Sequence, residues 1–186
     1  KAMSFEANGM FLNREDKPQA LAGRVCHHIV PMAVLRDFWN RLVKEKHQAQ
    51  MVQYLALLGF TGNAHDTVTK ILAGHIYEIR DTRINEYQAL PVLLFWPNFN
   101  LFEGPLSDHR AAHAPDPDKL KTSFKGMGEN PIDHPPIAWR AHGMRLNVLG
   151  RMHKQMIEYA ANGGVYAVNK CLELLEQVAG KDIIPV

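Results

Sequence analysis

Two groups of histidines, far apart in the sequence, are the residues best placed to do chemistry together. His109 and His113 stand four residues apart, and His27 and His28 are adjacent. Two histidines four apart on a helix lie on one face, where both rings can bind a divalent metal ion at about 2.0–2.1 Å. The adjacent pair could supply a third imidazole. These residues therefore indicate a metal centre, provided that the fold joins the two segments.

The sequence around each group predicts the element that positions it. Residues Arg24 to Val30 are typical of a short strand, which Pro31 ends. Pro105 is predicted to be the first residue of a short helix that carries the second pair of histidines, and Pro115 ends this helix. Because side chains alternate across a strand, two adjacent histidines can serve one site only where the strand ends or bulges.

Length and composition favour a single globular domain. The chain has 186 residues, of which 46% are apolar and 22% charged, and this is enough to bury a core. No apolar run reaches 18 residues, so we expect no membrane span, and no secretory signal peptide is recognisable in this chain. The N-terminus begins abruptly, as expected for a piece of a larger protein. The two cysteines, Cys26 and Cys171, do not form a disulfide framework and favour a reducing place of action.

Most of the remaining chain is predicted to be helical. Apolar residues recur at helical spacing in four segments, 32–58, 65–86, 137–161 and 165–178. The first two form a helical insertion over 32–88, and the last two are C-terminal helices within 137–179. Residues 1–20 are interpreted as a loop or arm, and 114–136 as a long loop rich in Pro and Gly. The apolar run from Leu90 to Trp96 is expected to be buried.

The charge is uneven along the chain. The segment from Lys119 to Lys154 contains seven Lys and Arg residues and only two acidic residues, although the net charge of the whole chain is +2. A basic face in this region would suit a polyanion, and a solvated helix surface explains the charge equally well.

The combined histidine pattern resembles the HNH and endonuclease VII superfamily, the ββα-metal or His-Me finger nucleases. The matching residues are the run His27 to Pro31 at the first strand and Asn100-x8-His109-x3-His113 further on. The pattern is similar to that of bacteriocin DNases and of His-His-motif nucleases from bacterial polymorphic toxin systems. It implies a single α+β domain over 1–186, mostly helical, around a small ββα-metal core. The core would comprise 24–31 and 98–114, with the helical insertion between its two strands.

The resemblance implies a role for each matching residue. It makes His27, His109 and His113 the ligands of one divalent metal ion (Zn, Ni, Mg or Mn), and His28 the general base. Asn100 would hold the loop between the two strands. These roles suit phosphodiester hydrolysis, which needs a deprotonated water and a countercharge for the phosphate. An imidazole can accept a proton near neutral pH if it stays off the metal.

The expected activity is therefore metal-dependent endonuclease cleavage, with double-stranded DNA as the partner rather than RNA. From the resemblance alone, we also expect an antibacterial toxin domain that is secreted or injected and acts in the target-cell cytoplasm. A cognate immunity protein would inhibit this toxin in the cell that produces it.

Several residues near the histidines have two interpretations. Arg24 and Arg110 could bind the phosphates of the nucleic acid or form surface salt bridges. Glu103 and Asp108 could orient a ligand histidine or be ordinary acids near a helix N-terminus. Cys26 could approach the site, although a small buried strand residue is the simpler interpretation.

Two other kinds of site compete with the nuclease. The His-x3-His helix of zinc proteases carries a catalytic glutamate where this chain has Arg110, which argues against a metalloprotease. A non-catalytic zinc-binding structural or interaction module would use His28 as a fourth, closing ligand. The histidines of the insertion are interpreted as surface or packing residues: His47, His65 and His75.

Overall fold

The computed structural model describes residues 24–74, 93–94, 96–105 and 142–184, and it is mostly helical over these ranges. The elements follow in the order β1 (Arg24–His28), α1 (Met32–Glu45), α2 (Gln48–Leu57), α3 (Ala64–Leu72), β2 (Leu101–Pro105), α4 (Gly143–Asn162) and α5 (Val165–Glu176). A 3-10 turn, Asn98–Asn100, leads into β2. The predicted mostly helical character is confirmed over these residues. The predicted arm over 1–20, the loop over 114–136 and the helix with His109 and His113 lie outside the described residues.

β1 and β2 form an antiparallel pair, although Asn100, the residue directly before β2, lies 72 residues after His28. Every residue of β1 has a partner in β2, from Arg24 opposite Pro105 to His28 opposite Leu101. The register is regular and contains no bulge. The pairing therefore brings together the two segments that carry the histidine motif and Asn100.

The C-terminal end of the chain adds to this small sheet. Ile184 forms a parallel bridge with Phe102, and its N–H donates to the Leu101 carbonyl at 3.0 Å. Neighbouring residues on a strand face opposite sides, and both Leu101 and Phe102 are fully buried. Both faces of β2 are therefore covered at its first two residues.

The helices pack into a single core that includes the inner residues of the sheet. α1 lies along α4, α4 packs on α5, and α2 contacts both α3 and α5. At the centre, the Phe38 ring meets Tyr54 and Tyr159 edge-on, with ring centroids 5.2 and 5.3 Å apart. Burying one large apolar side chain stabilises a fold by roughly 1.5–3 kcal/mol, so this cluster is a substantial anchor for the helices.

The predicted helix over 32–58 is wrong as one element, because α1 and α2 are separate. Lys46 adopts a left-handed conformation with φ 54°, and its N–H donates to the carbonyls of Leu42 and Val43. No residue between Val43 and Met51 is buried, so the apolar stripe is interrupted at this turn. The interruption allows α2 to change direction and cover another part of the core.

Other predicted boundaries also differ. β1 ends at His28 rather than Val30, because the next two residues form a bend. Pro105 is the last residue of β2 and not the first of a helix, since pairing with Arg24 continues the strand. In the segment predicted as a helix over 65–86, α3 ends at Leu72 and Gly74 follows with φ +74°, and residues 75–86 lie outside the described part of the chain. The C-terminal helices match their predicted segments closely where those segments are described.

The turn between α4 and α5 has a specific steric requirement. Gly163 follows α4 with φ +73°, directly above the ion pair of α1 in which Arg41 Nη2 lies 2.9 Å from Glu45 Oε1. A Cβ at this glycine would lie 3.0 Å from both Arg41 Nε and Glu45 Oε1. A side chain here would combine a strained conformation with this contact.

None of the helices within the described ranges has the length and apolar character needed to cross a membrane.

Candidate active site

Asn100 holds the chain directly after the His27-His28 pair. Its buried side chain accepts the Val30 N–H at Oδ1, at 2.7 Å, and donates from Nδ2 to the Val30 carbonyl at 2.9 Å. The Asn100 carbonyl accepts the Ile29 N–H at 2.8 Å. Three hydrogen bonds from one residue therefore fix the bend between β1 and α1.

These bonds are needed because the bend is buried. Val30 is fully buried, so its N–H and carbonyl must find partners within the protein. A primary amide offers an acceptor and a donor side by side, and a carboxylate or an aliphatic side chain of similar size does not. Asparagine is therefore the residue that this backbone pair requires.

The turn that presents Asn100 is itself held from α4. The Asn100 N–H donates to the Pro97 carbonyl at 2.9 Å, which closes the turn. Arg145, near the start of α4, donates from Nε to the Phe99 carbonyl at 3.1 Å and from Nη2 to the carbonyls of Phe99 and Asn98, the latter at 3.2 Å. This guanidinium therefore binds two consecutive carbonyls.

The surroundings of Arg145 support this inward role. Burial lowers the pKa of Arg145 from its ordinary value, and the nearby carboxylate of Asp182 opposes that shift. Hydrogen bonds to a charged donor are stronger than those between neutral groups. The partly desolvated cation is thus compensated by the carbonyls it binds and by one carboxylate.

His28, the last residue of β1, is largely buried, with 9% of its surface exposed. Its ring meets the edge of Trp96, with centroids 4.5 Å apart and planes at 67°. Cys26, two residues earlier on the same strand face, is buried in the core, in line with its simpler interpretation. The imidazole of His28 therefore packs against the ring of Trp96, directly before the bend that Asn100 stabilises.

The predicted metal ligands are only marginally covered by the described residues. The backbone of His27 lies opposite Phe102 in the sheet, and its side chain falls outside the described part of the chain. His109 and His113 fall outside it entirely. Among the side chains that are described, no three His, Cys, Asp or Glu residues converge as metal ligands.

The residues with two interpretations are covered in the same partial way. The structure gives the backbone of Arg24, opposite Pro105, and of Glu103, opposite Cys26. The side chains of these two residues lie outside the described part, as do Arg110 and Asp108. Both interpretations of these four residues therefore stay open.

The structure describes two of the three histidines in the insertion, His47 and His65. His47 Nδ1 lies 2.8 Å from the Tyr159 hydroxyl oxygen, and the two rings stack with centroids 6.0 Å apart. His47 is thus a packing histidine, and His65 is exposed on α3, as predicted for this group. His75 lies outside the described residues.

Sequence reasoning missed two residues that shape this site, Arg145 and Trp96. Arg145 was included in a basic run, but helical spacing places it on the same face as Leu149 and Met152, which are buried. A cation on an apolar helix face is a signal that it has a buried partner. Trp96 closes the apolar run before Asn100, and no feature of the sequence indicates that it contacts His28.

Comparison with protein-family models, with curated proteins and with solved structures finds no match in any of the three. The resemblance to the His-Me finger nucleases therefore rests on the motif residues of the sequence.

Proposed function

We propose that this chain is a metal-dependent endonuclease that hydrolyses phosphodiester bonds, with double-stranded DNA as its substrate. The observation that carries the proposal is the set of three hydrogen bonds from Asn100 to the bend after His28. They join the two segments of the motif, and they fix the end of the strand that carries the proposed base. This is the role that the resemblance implies for Asn100.

The geometry suits a residue that must be held accurately. A general base acts only when it lies within hydrogen-bond reach of the water that it deprotonates. His28 is held by the regular pairing of β1 on one side, by the bend on the other, and by the ring of Trp96. Such support limits the positions that the imidazole can take, which favours catalysis over simple surface display.

We propose that His28 accepts the proton of the attacking water and does not bind the metal. His27, His109 and His113 would hold the ion, which leaves a position open for the phosphate. A divalent cation bound there would supply the countercharge for the phosphate and for the departing 3′ oxygen. In this proposal, the short helix expected to carry His109 and His113 completes the ββα-metal core.

Two further parts of the proposal concern substrate and biology. Arg24 and Arg110 would bind phosphates next to the scissile one, as their places in the motif segments favour. The resemblance to toxin nucleases supports an antibacterial effector that acts in the cytoplasm of a target cell. A cognate immunity protein would then be its inhibitory partner.

The alternative is a zinc-binding module without catalysis, and one observation favours it. His28 is 9% exposed and lies against Trp96, which is also how a histidine with a purely structural role is packed. In that case His28 would close the metal site, and no position would stay open for a substrate.

Cleavage of supercoiled plasmid distinguishes the two functions. The wild-type protein should nick or linearise plasmid with Mg2+, Mn2+, Ni2+ or Zn2+, and EDTA should abolish the activity. His28→Ala should lower the rate by at least about 100-fold, the usual contribution of a general base. His65→Ala is the matched control, because this histidine is exposed on α3, and its rate should equal that of wild type.

Two outcomes would contradict this proposal. One is cleavage by His28→Ala at the wild-type rate, which would contradict the role of His28 as the general base while leaving the nuclease activity in place. The other is a wild-type protein that leaves DNA and RNA intact with every metal while binding zinc tightly. The second result would favour the structural module.

A further inference from the structure

Arg145 is the residue through which α4 reaches the candidate site. Its guanidinium donates to the carbonyls of Asn98 and Phe99, the two residues before Asn100. We infer that Arg145 is a positioning residue for His28 and that it acts through Asn100, an inference that rests on the proposed nuclease function.

The contacts form one continuous series. Arg145 fixes two carbonyls of the turn, and the next residue of that turn, Asn100, binds the backbone of Ile29 and Val30. These two residues directly follow His28. A displacement of the turn would therefore pass to the bend through hydrogen bonds to Asn100 and from there to the end of β1.

The shape of the guanidinium matters as well as its charge. Its planar group of N–H donors reaches two consecutive carbonyls at once, and the ammonium of a lysine is a compact point charge on a flexible stem. Arg145→Lys therefore keeps the positive charge and loses the paired contact. This substitution separates positioning from a general attraction to a polyanion.

The competing explanation is that Arg145 belongs to a basic surface that binds nucleic acid. Its three hydrogen bonds to the turn and its partial burial commit it to the interior instead. On the same helix, Arg151 and Lys154 are exposed. Arg151 is thus the matched control, because it shares the helix and the charge but is exposed.

Steady-state cleavage of a duplex oligonucleotide tests the role in the reaction. Arg145→Lys should lower kcat by about tenfold and change KM by less than about twofold, since a displaced catalytic group slows the chemical step. Arg151→Lys should leave kcat at the wild-type value. An increase in KM for Arg145→Lys with kcat unchanged would overturn the inference, because it would show direct contact with the substrate.

Amide hydrogen exchange gives a second readout that needs no activity. Arg145→Lys should accelerate exchange at Ile29 and Val30 by at least about fivefold, with little change at Leu172 in the core of α5. Arg151→Lys should not accelerate it. Unchanged exchange at Val30, or equal acceleration at all three amides, would overturn the inference. If the wild-type protein cleaves nothing and the local acceleration is still observed, the proposed function fails and the positioning contact stands.

Discussion

Removal of the Asn100 side chain tests most directly whether its hydrogen bonds stabilise the bend after β1. Asn100→Ala breaks both side-chain bonds and leaves the N–H and carbonyl of Val30 buried without partners, and the backbone bond from Ile29 stays possible. A buried unsatisfied backbone group costs about 1–3 kcal/mol, so two such groups, at about 1.5–2 kcal/mol each, should lower the unfolding free energy by roughly 3–4 kcal/mol. For a domain of this size, that lowers Tm by about 6–16 °C.

Urea unfolding followed by far-UV circular dichroism measures this loss. Asn98→Ala is the control, because Asn98 belongs to the same turn and its side chain is exposed. Only its carbonyl meets Arg145, so the unfolding free energy of this variant should stay within about 0.5 kcal/mol of wild type. A loss below about 1 kcal/mol for Asn100→Ala, or equal losses for the two variants, would refute the account of the bend.

Two further predictions concern the helical core. Gly163→Ala should cost about 1–3 kcal/mol of unfolding free energy, because it adds a strained conformation to a contact with the ion pair of α1. Gly164→Ala adds only the strained conformation, so its loss of unfolding free energy, measured by chemical denaturation, should be smaller than that of Gly163→Ala. Equal losses in the two variants would show that the contact with the ion pair contributes nothing. Burial raises the pKa of Tyr159, so the stability it contributes should be complete below the unfolded tyrosine pKa of about 10 and be lost as pH rises further. Urea unfolding between about pH 9 and 11 should show that the unfolding free energy falls more steeply with pH for wild type than for Tyr159→Phe. Identical pH dependence in the two proteins would show that ionisation of Tyr159 does not affect stability.

The helices were the most predictable part of the fold, because their apolar residues recur at a regular spacing over long segments. The structure places α4 and α5 close to their predicted bounds for this reason. The break at Lys46 was not predicted, since a left-handed turn there rests on a lysine and no Gly or Pro marks it. The interruption of the apolar stripe was the available signal.

Pro105 shows why local patterns could not decide the end of β2. Proline is compatible with the first turn of a helix and with the end of a strand, so the sequence around it allows both. Pairing with Arg24, which is distant in the chain, decides between them. Non-local contacts of this kind are not visible in the spacing of nearby residues.

The candidate site could also be predicted only in part from the sequence. The motif predicted that Asn100 and His28 share one site, and the structure shows that the Asn100 side chain binds the backbone of Val30, two residues after His28. Arg145 was missed because its charge was interpreted together with its neighbours in the sequence and not with its helix face. Trp96 was missed because its contact with His28 depends on how the turn folds back.

Zinc titration by isothermal calorimetry tests the central claim most directly, because it separates metal ligands from the base. The account predicts that His28→Ala binds Zn2+ within about threefold of wild type, and that His109→Ala and His113→Ala bind at least about 100-fold more weakly. Equal loss of zinc affinity in all three variants would contradict the account, since His28 would then be a ligand and not the general base.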